Sequence, residues 1–246
     1  MEESLFESLN KVIKSEKLTL QYRMCGPINE LANQITYKNE LICGNDIVRD
    51  GILDLPLYSS FAAKNNPTQQ WLVKVINPIL LNALVFLDTS MMGEKKNDFR
   101  TISGSIENHM ESNIAHSIVS ALCECGLKPD EIGIIAPYTS QVKLLKKKMS
   151  LIPLLEINTI NQYQGRDKEV IIYSCTRSGR SPITEKASCL LNDFRRLTVA
   201  VTRAKYKLII VGDKETLHHY APFNKLFLNL AKSQCFHLCP GKDKFL

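Results

Sequence analysis

The sequence of 246 residues lacks the features that mark membrane and exported proteins. No uninterrupted apolar run approaches the roughly 20 residues that a membrane-spanning helix requires, so we expect no membrane partner. The first ten residues, MEESLFESLN, are acidic, whereas a secretory signal begins with basic residues and a transit peptide is rich in arginine. These absences favour an intracellular protein.

The sequence also lacks the parts that hold the phosphates of a nucleotide. The pattern Gly-x-x-x-x-Gly-Lys-Ser/Thr does not occur, and the one Gly-Lys pair, Gly241-Lys242, is followed by Asp243. No apolar strand ends in an Asp-Glu pair, because Asp130-Glu131 precedes its strand. The chain by itself therefore offers neither a phosphate-cradling loop nor a magnesium-binding carboxylate pair.

A metal site is not expected from the eight cysteines, which are irregularly spaced. The Cys-Glu-Cys of residues 123–125 is too closely spaced for a zinc knuckle. Cys235 and Cys239 flank His237, but no second pair of ligands lies near them in the sequence. The pattern is typical of reduced thiols that pack among apolar neighbours.

Composition and periodicity predict one α/β domain. Hydrophobic residues make up 44% and charged residues 23% of the chain, and the net charge of +6 permits a nucleic-acid partner without requiring one. Apolar stretches such as NALVFLDTS, IGIIAPY, EVIIYSCTR and KLIIVGD alternate with helical patterns. This alternation indicates a doubly wound parallel sheet with helices on both faces.

We expect this domain to span residues 1–240, followed by a tail at 241–246. The periodicity fails over residues 44–82, which predicts a loop-rich insertion. Functional groups of doubly wound sheets gather beyond the carboxyl ends of the strands. The stretches QYRM, APYTSQ and NQYQGRDKE, and the turn after YSCTR, are therefore predicted to lie at that edge.

The stretch LLNDFRRLTVAVTRAKYKLIIVGD, residues 190–213, contains two arginines placed seven residues apart. Seven residues are close to two helical turns, so Arg196 and Arg203 are predicted to share one face of a helix. Arginine grips phosphate with fixed geometry. The spacing therefore predicts a helix that directs positive charge at a phosphate group.

Two further stretches suit a nucleotide. In QYRM, Arg23 can reach a phosphate and Tyr22 can stack on a base, although a surface arginine beside a core tyrosine gives the same letters. In NTINQYQGRDKE, Gly165 allows a ligand to approach the backbone, and Asp167 can accept a ribose hydroxyl or pair with an arginine. The alternative for this stretch is a tight polar turn before a strand.

Polar residues at two predicted strand ends suit a nucleic-acid backbone. Tyr138, Thr139 and Gln141 follow one strand, and Thr159 and Gln162 follow the next. The lysines of LLKKKM, which follow the first group, either lie along the backbone of a single-stranded nucleic acid or form a solvated helix face.

These motifs, in this order and spacing, resemble the second RecA-like motor domain of superfamily 1 helicases, on the 5′-to-3′ branch that includes the nonsense-mediated-decay helicase. The resemblance covers almost the whole chain and rests on LTLQYRM, IGIIAPYTSQ, INQYQGRDKEVIIYSCTRS and LLNDFRRLTVAVTRAKYKLIIVGD. The forms YQGRDKE and ITYKNELICGNDIV are most similar to the helicase/nucleases of eukaryotic DNA replication. This resemblance implies the RecA-like fold of the P-loop NTPase superfamily.

In this family, ATP with Mg²⁺ lies between two RecA-like domains, and the first domain supplies the phosphate loop and the carboxylates. The resemblance implies that Arg203 is an arginine finger and that Arg23 is a second contact to the γ-phosphate. It places Tyr22 on the base side of the nucleotide. Gln164, Gly165 and Asp167 belong to the same cleft, and Asp167 stands where the family usually has Glu.

The resemblance leaves the role of Arg196 open. It is either a partner of Arg203 in the cleft or a structural residue that holds its helix through Asp193 or Asp213. Tyr138, Gln141, Thr159 and Gln162 occupy positions that resemble the family's contacts to a single strand.

The implied partners are single-stranded DNA, ATP, the first RecA-like domain of the same protein, and replication and single-strand-binding proteins. The implied location is the nucleus, with mitochondria as a second site. An iron–sulfur cluster is expected only in a nuclease domain outside this chain, and the isolated chain is expected to be inactive. Two alternatives remain: an RNA helicase domain of the decay type, and a truncated module that binds single strands without catalysis.

Overall fold

The central element of the fold is a six-stranded parallel sheet. The computed structural model describes residues 8–9, 12–13, 16–64, 67–179 and 190–245. The strands of the sheet occur in the spatial order β10-β3-β9-β8-β6-β7. Their bounds are β3 Leu84–Asp88, β6 Ile132–Ala136, β7 Glu156–Thr159, β8 Lys168–Ser174, β9 Ala204–Gly212 and β10 Cys235–His237. The predicted parallel sheet is confirmed, because every neighbouring pair runs in the same direction.

Helices cover both faces of this sheet. Their bounds are α1 Gly26–Ala32, α2 Asp46–Arg49, α3 Tyr58–Lys64, α4 Gln70–Ile76, α5 His109–Glu124, α6 Thr139–Lys148, α7 Phe194–Val201, α8 Lys214–Leu217 and α9 Ala221–Asn229. The core under α4, α5 and α6 takes Val85 and Leu87 from β3, whereas the core under α1, α7 and α9 takes Leu84 and Phe86. Successive side chains of a strand point to opposite faces, so an unbroken apolar strand supplies both cores.

Residues 44–82 differ from the predicted loops, because they contain α2, α3 and α4. Trp71, Leu72, Val75 and Ile76 of α4 are buried in the core beside α5. The Trp71 indole donates to the carbonyl oxygen of Lys244 at 3.2 Å, so the C-terminal residues pack on this segment. Helices of about seven residues span only two turns, too short for a periodicity to be read from the sequence.

Two short sheets lie outside the main one. The two-residue strands β1 (Leu20–Gln21) and β2 (Ile42–Cys43) pair in parallel and hold the chain before α1. The strands β4 (Phe99–Arg100) and β5 (Ile106–Glu107) form an antiparallel hairpin before α5. Within the described ranges, no helix combines the length and the apolar character needed to cross a bilayer.

The connection from β7 to β8 joins the two edges of the main sheet. It leaves the carboxyl end of β7 at Thr159 and returns to the amino end of β8 at Lys168. Tyr163 in this connection is fully buried, and a Cβ atom at Gly133 of β6 would overlap its ring. The connection is therefore packed closely against the sheet, and Gly133 provides the space for it.

Candidate nucleotide and nucleic-acid site

An open pocket lies at the amino-end edge of β8 and β9. It is lined by Gln21, Tyr22, Arg23, Met24, Tyr37, Leu41, Asp167, Thr202, Arg203 and Lys205. This position corrects the prediction that QYRM and NQYQGRDKE both lie beyond the carboxyl ends of strands. Asp167 immediately precedes β8 and Arg203 immediately precedes β9, and parallel strands bring these two positions to one edge.

The QYRM turn is held by the side chain of Gln21. Its Oε1 atom accepts hydrogen bonds from the backbone N–H groups of Arg23 at 2.8 Å and Met24 at 2.7 Å, and its Nε2 donates to the Met24 carbonyl oxygen at 2.8 Å. Tyr22 is consequently turned outward and is 65% exposed. A Cβ atom at Gly44 would overlap the Tyr22 ring, so glycine allows the ring to lie against the backbone.

Arg203 lies beyond the end of α7 and not on it, which corrects the prediction of a shared helix face. The helix ends at Val201. The Arg203 side chain turns back, and its Nε donates to the Val199 carbonyl oxygen at 3.1 Å, one of the groups that a helix end leaves without a partner. Its Nη1 donates to the Arg166 carbonyl oxygen at 3.3 Å, which ties the end of α7 to the loop before β8.

Arg23 and Arg203 converge on Thr202. Nη1 of Arg23 donates to the Thr202 carbonyl oxygen at 3.3 Å, and Nη2 of Arg203 donates to the Thr202 hydroxyl at 3.0 Å. Among the described residues, no carboxylate forms an ion pair with either guanidinium group. Partial burial and then repulsion from Arg23 lower the pKa of Arg203. The pocket thus holds two close positive charges that a bound polyanion would neutralise.

Asp167 is present in the pocket but already has a cationic partner. Its carboxylate lies 3.3 Å from the Lys205 ammonium, which also lies 3.0 Å from Glu169. The preceding Gly165 is exposed with φ of +83°, and no atom lies within 4 Å of the place a Cβ would take. Gln164 beside it is also exposed. The predicted residues of this loop therefore leave their backbone open to a ligand.

Arg196 does not line the pocket. It lies on α7, where its Nε is 3.5 Å from the Asp193 carboxylate. Asp193 also caps the helix by accepting from the backbone N–H of Arg195. Of the two structural partners considered, the geometry favours Asp193, because the Asp213 carboxylate is engaged by Lys96 and Thr216 instead.

The predicted single-strand contacts divide into an exposed and a buried set at the opposite, carboxyl-end edge. Thr159 ends β7, and its hydroxyl donates to Oε1 of the exposed Gln162 at 3.2 Å. Thr139 is exposed at the start of α6. The register pairs Ala136 with Thr159, so these residues follow adjacent strands. Thr139 and Gln162 are exposed and Thr159 is half-buried, so all three lie outside the fully buried core.

Tyr138 and Gln141 are buried, which corrects their assignment as direct contacts. Gln141 is 0% exposed. Its amide accepts from the backbone N–H of Asn108 at 2.7 Å and donates to the Ser174 hydroxyl at 3.0 Å. Tyr138 is 5% exposed and packs with Ile106. Gln141 lies on the first turn of α6, where its side chain faces the start of α5 and the end of β8, whereas Tyr138 immediately precedes the helix.

A buried acid that the sequence did not reveal supports this edge. Glu111 of α5 is 0% exposed, and its Oε2 accepts from the Ser174 hydroxyl at 2.6 Å and the Thr176 backbone N–H at 2.8 Å. Burial raises the pKa of Glu111 to about 8, against these two hydrogen bonds. Thr176 has φ of +70°, so the acid holds an unfavourable backbone conformation. Gln21 and Lys205 were also missed, although both lie inside motifs that were recognised.

Residues 1–215 match the family model of the AAA domain, and the chain therefore belongs to that family. The particular relatives are helicase/nucleases. The chain is 40% identical over 98% of its length to the DNA replication ATP-dependent helicase/nuclease JHS1 of Arabidopsis thaliana, covering 17% of that protein. It is 36% identical to the corresponding DNA2 proteins of Bos taurus and Saccharomyces cerevisiae, over 94% and 99% of its length and 22% and 16% of theirs.

These matches confirm the resemblance to replication helicase/nucleases that the motifs indicate. The chain spans about a fifth of the length of these relatives.

Proposed function

We propose that this chain is the second RecA-like motor domain of an ATP-dependent DNA helicase/nuclease that acts in DNA replication and repair in the nucleus. It lines one side of an ATP cleft whose other side belongs to a facing RecA-like domain. Its own strand-end residues contact single-stranded DNA. The matches to helicase/nucleases over nearly the whole chain support this proposal.

The observation that carries the proposal is the arginine pair in the open pocket. Arg23 and Arg203 are attached to one residue, Thr202, and neither has a carboxylate partner among the described residues. Two guanidinium groups held this close repel each other, and the attraction of Arg203 to Asp167 in the same pocket is weaker than this repulsion. A triphosphate held by a facing domain supplies the missing negative charge.

The chemistry of the chain's own residues follows from this placement. Arg203 would stabilise the charge that develops on the transferred phosphoryl group, and Arg23 would hold the γ-phosphate oxygens in place. A finger of this kind accelerates related reactions by on the order of 10³ to 10⁵. Tyr22 provides an exposed ring for the base. Asp167 is the one carboxylate that lines the pocket in the described part of the chain, so we assign Mg²⁺ binding to the facing domain.

The β7–β8 connection physically links the nucleotide pocket to the residues that would contact single-stranded DNA. At one end, the Arg166 carbonyl oxygen accepts from Arg203; at the other end, Gln162 bonds Thr159. A movement of Arg203 on cleft closure would therefore displace the segment that bears the strand contacts. Repeated closure and opening would move single-stranded DNA past this edge, and the family resemblance implies the 5′-to-3′ direction.

The choice of DNA over RNA rests on the names of the relatives, because exposed threonine and glutamine contact either backbone. Replication and single-strand-binding proteins are the further partners that we propose on the same basis. We place the iron–sulfur cluster in a nuclease domain outside this chain, and we expect no ATP turnover by the chain alone.

The test is a chimera in which this chain replaces the matching segment of the Arabidopsis relative, with which it is 40% identical. We expect ATPase activity that depends on single-stranded DNA, whereas the purified chain alone shows none. Activity should be lost in the chimera with Arg203→Ala. The matched control is Arg195→Ala, because Arg195 is exposed on α7 two residues before the buried Leu197 and lies outside the pocket.

Two results would contradict the proposal. The first is ATPase activity of the isolated chain at the rate of the chimera. The second is a chimera that folds, binds single strands and hydrolyses no ATP, which would favour a module that binds strands without catalysis.

A further inference from the structure

A cluster of three metal-ligating side chains lies at the outer strand of the sheet, away from the arginine pocket. The carboxylate of Asp88, the thiol of Cys235 and the imidazole of His237 each offer one ligand atom, and these atoms lie within 4.8 Å of one another. The nucleotide cleft and the strand contacts do not use them.

The backbone determines this grouping. Strand β10 pairs with β3 in parallel, with Cys235 opposite Phe86 and His237 opposite Asp88. Side chains two residues apart lie on one face of a strand, and residues paired in register share that face. Cys235, His237 and Asp88 are therefore brought to one side of the sheet by the register itself.

The carboxylate of Asp88 is fixed before any ligand arrives. Its Oδ1 accepts from the backbone N–H groups of Ser90 at 2.9 Å and Lys214 at 3.1 Å, and its side chain is 2% exposed. Its Oδ2 lies 3.0 Å from Nδ1 of His237. The second ring nitrogen of His237, Nε2, lies 4.0 Å from the Cys235 sulfur. The two backbone hydrogen bonds to Oδ1 fix the orientation of the Asp88 carboxylate, as hydrogen bonds to metal-binding carboxylates do.

We propose that Asp88, Cys235 and His237 form a site for a zinc ion. A set of one thiolate, one imidazole and one carboxylate suits Zn²⁺, which takes sulfur, nitrogen and oxygen ligands in tetrahedral geometry. The His237 side chain is 51% exposed, so water supplies the fourth ligand from the open side. Binding releases the thiol proton of Cys235 to solvent.

The ion would stabilise the pairing of the edge strand β10 with β3. Strand β10 has only three residues and one neighbouring strand. A zinc ion held by both β3 and β10 would join them by side chains in addition to their backbone hydrogen bonds. Because the ion binds the folded state, it would raise the melting temperature, and the stabilisation would grow with the logarithm of the zinc concentration relative to its dissociation constant.

The experiment measures metal in the full chain and in single variants. After dialysis against metal-free buffer and addition of Zn²⁺, we expect about one equivalent of tightly bound zinc per chain and a melting temperature at least ~3 °C higher. Co²⁺ in place of zinc should give a thiolate-to-cobalt absorption band. Cys235→Ala should abolish the band, and His237→Gln should lower zinc affinity at least tenfold.

Cys239→Ser is the matched control. Cys239 lies two residues beyond the end of β10 and outside the cluster, so this variant should keep the zinc and the cobalt band. Melting in metal-free buffer should be the same for wild type and Cys239→Ser. Zinc below about 0.1 equivalent in the wild type, or zinc and band retained in Cys235→Ala, would overturn the proposal.

Discussion

The polar groups at the two edges of the sheet differ in their burial and in their partners. At the amino-end edge, Arg23 and Arg203 are partly exposed and have no carboxylate partner among the described residues. At the carboxyl-end edge, Glu111 and Gln141 are fully buried and hydrogen-bonded to Ser174. Charges without partners suit a ligand that arrives from outside, whereas buried groups with partners stabilise the fold.

The comparison also sorts the predicted contacts to single-stranded DNA by their burial. The carboxyl-end edge has a buried polar layer, and only its outermost residues, Thr139, Thr159 and Gln162, extend beyond it. The buried layer holds the strand ends in place, and the outer residues are available to a partner. Sequence position alone does not separate these two layers.

The largest effect is expected at Arg203. In the chimera, Arg203→Ala should lower ATP turnover at least ~10³-fold and leave nucleotide affinity nearly unchanged, because the finger acts on the transition state. Arg196→Ala should cost only ~0.5 kcal/mol of stability, because it removes a partly exposed ion pair with Asp193, the residue that caps α7. For both variants, steady-state kinetics measures ATP turnover, nucleotide titration measures affinity, and thermal melting measures stability. Equal loss of turnover, binding and melting temperature in Arg203→Ala would make that residue structural.

Glu111 should make stability depend on pH. Its pKa rises from 4.5 to about 8 on folding, so the folded state holds the proton and loses stability as pH rises between these values. The loss is on the order of several kcal/mol, at no more than about 1.4 kcal/mol per pH unit. Urea denaturation at pH 5, 6.5 and 8 measures it.

Glu111→Gln should remove this pH slope, because glutamine does not ionise. Glu124→Gln is the matched control, since Glu124 is exposed at the end of the same helix. A slope that persists unchanged in Glu111→Gln would show that another group causes it.

Gln141 and Gln162 should separate the two layers of the carboxyl-end edge. Gln141→Ala leaves the buried Asn108 N–H without its acceptor and reduces the partners of the Ser174 hydroxyl to Glu111, so we expect a loss of ~1–3 kcal/mol of stability. Gln162→Ala removes an exposed amide, so stability should stay within ~0.5 kcal/mol while affinity for single-stranded DNA falls. Thermal melting measures the stability of both variants, and titration with single-stranded DNA measures their affinity. The reverse pattern would return Gln141 to the direct contacts.

The smallest effect is expected at Tyr22. Tyr22→Ala should weaken nucleotide binding by ~0.5–1.5 kcal/mol through the loss of a stacking surface, and it should affect single-strand affinity less. Tyr22→Phe keeps the ring and should bind nucleotide as the wild type does. Titration of the chimera with nucleotide and with single-stranded DNA compares them. A larger loss of strand affinity would place Tyr22 at the nucleic acid.

Much of the fold follows from local patterns. The strands β3, β6, β8 and β9 are near-continuous apolar runs, and such runs are recognisable because a strand buried on both faces has no polar side. The helices of residues 46–76 were missed, because two turns of helix give too little periodicity. The end of α7 was placed two residues too far, because the sequence contains no helix-ending glycine or proline there.

The sequence by itself determined the class of the domain, the absence of a phosphate loop and the residue types of the arginine pocket, because these depend on short runs of neighbouring residues. Only the tertiary structure decided which edge each motif reaches, that Gln141 is buried, and that Arg203 lies past its helix. It also brought Asp88, 147 positions before Cys235, to a cysteine and a histidine that had no second ligand nearby in the sequence. Strand register sets such contacts, and it is a property of the assembled sheet.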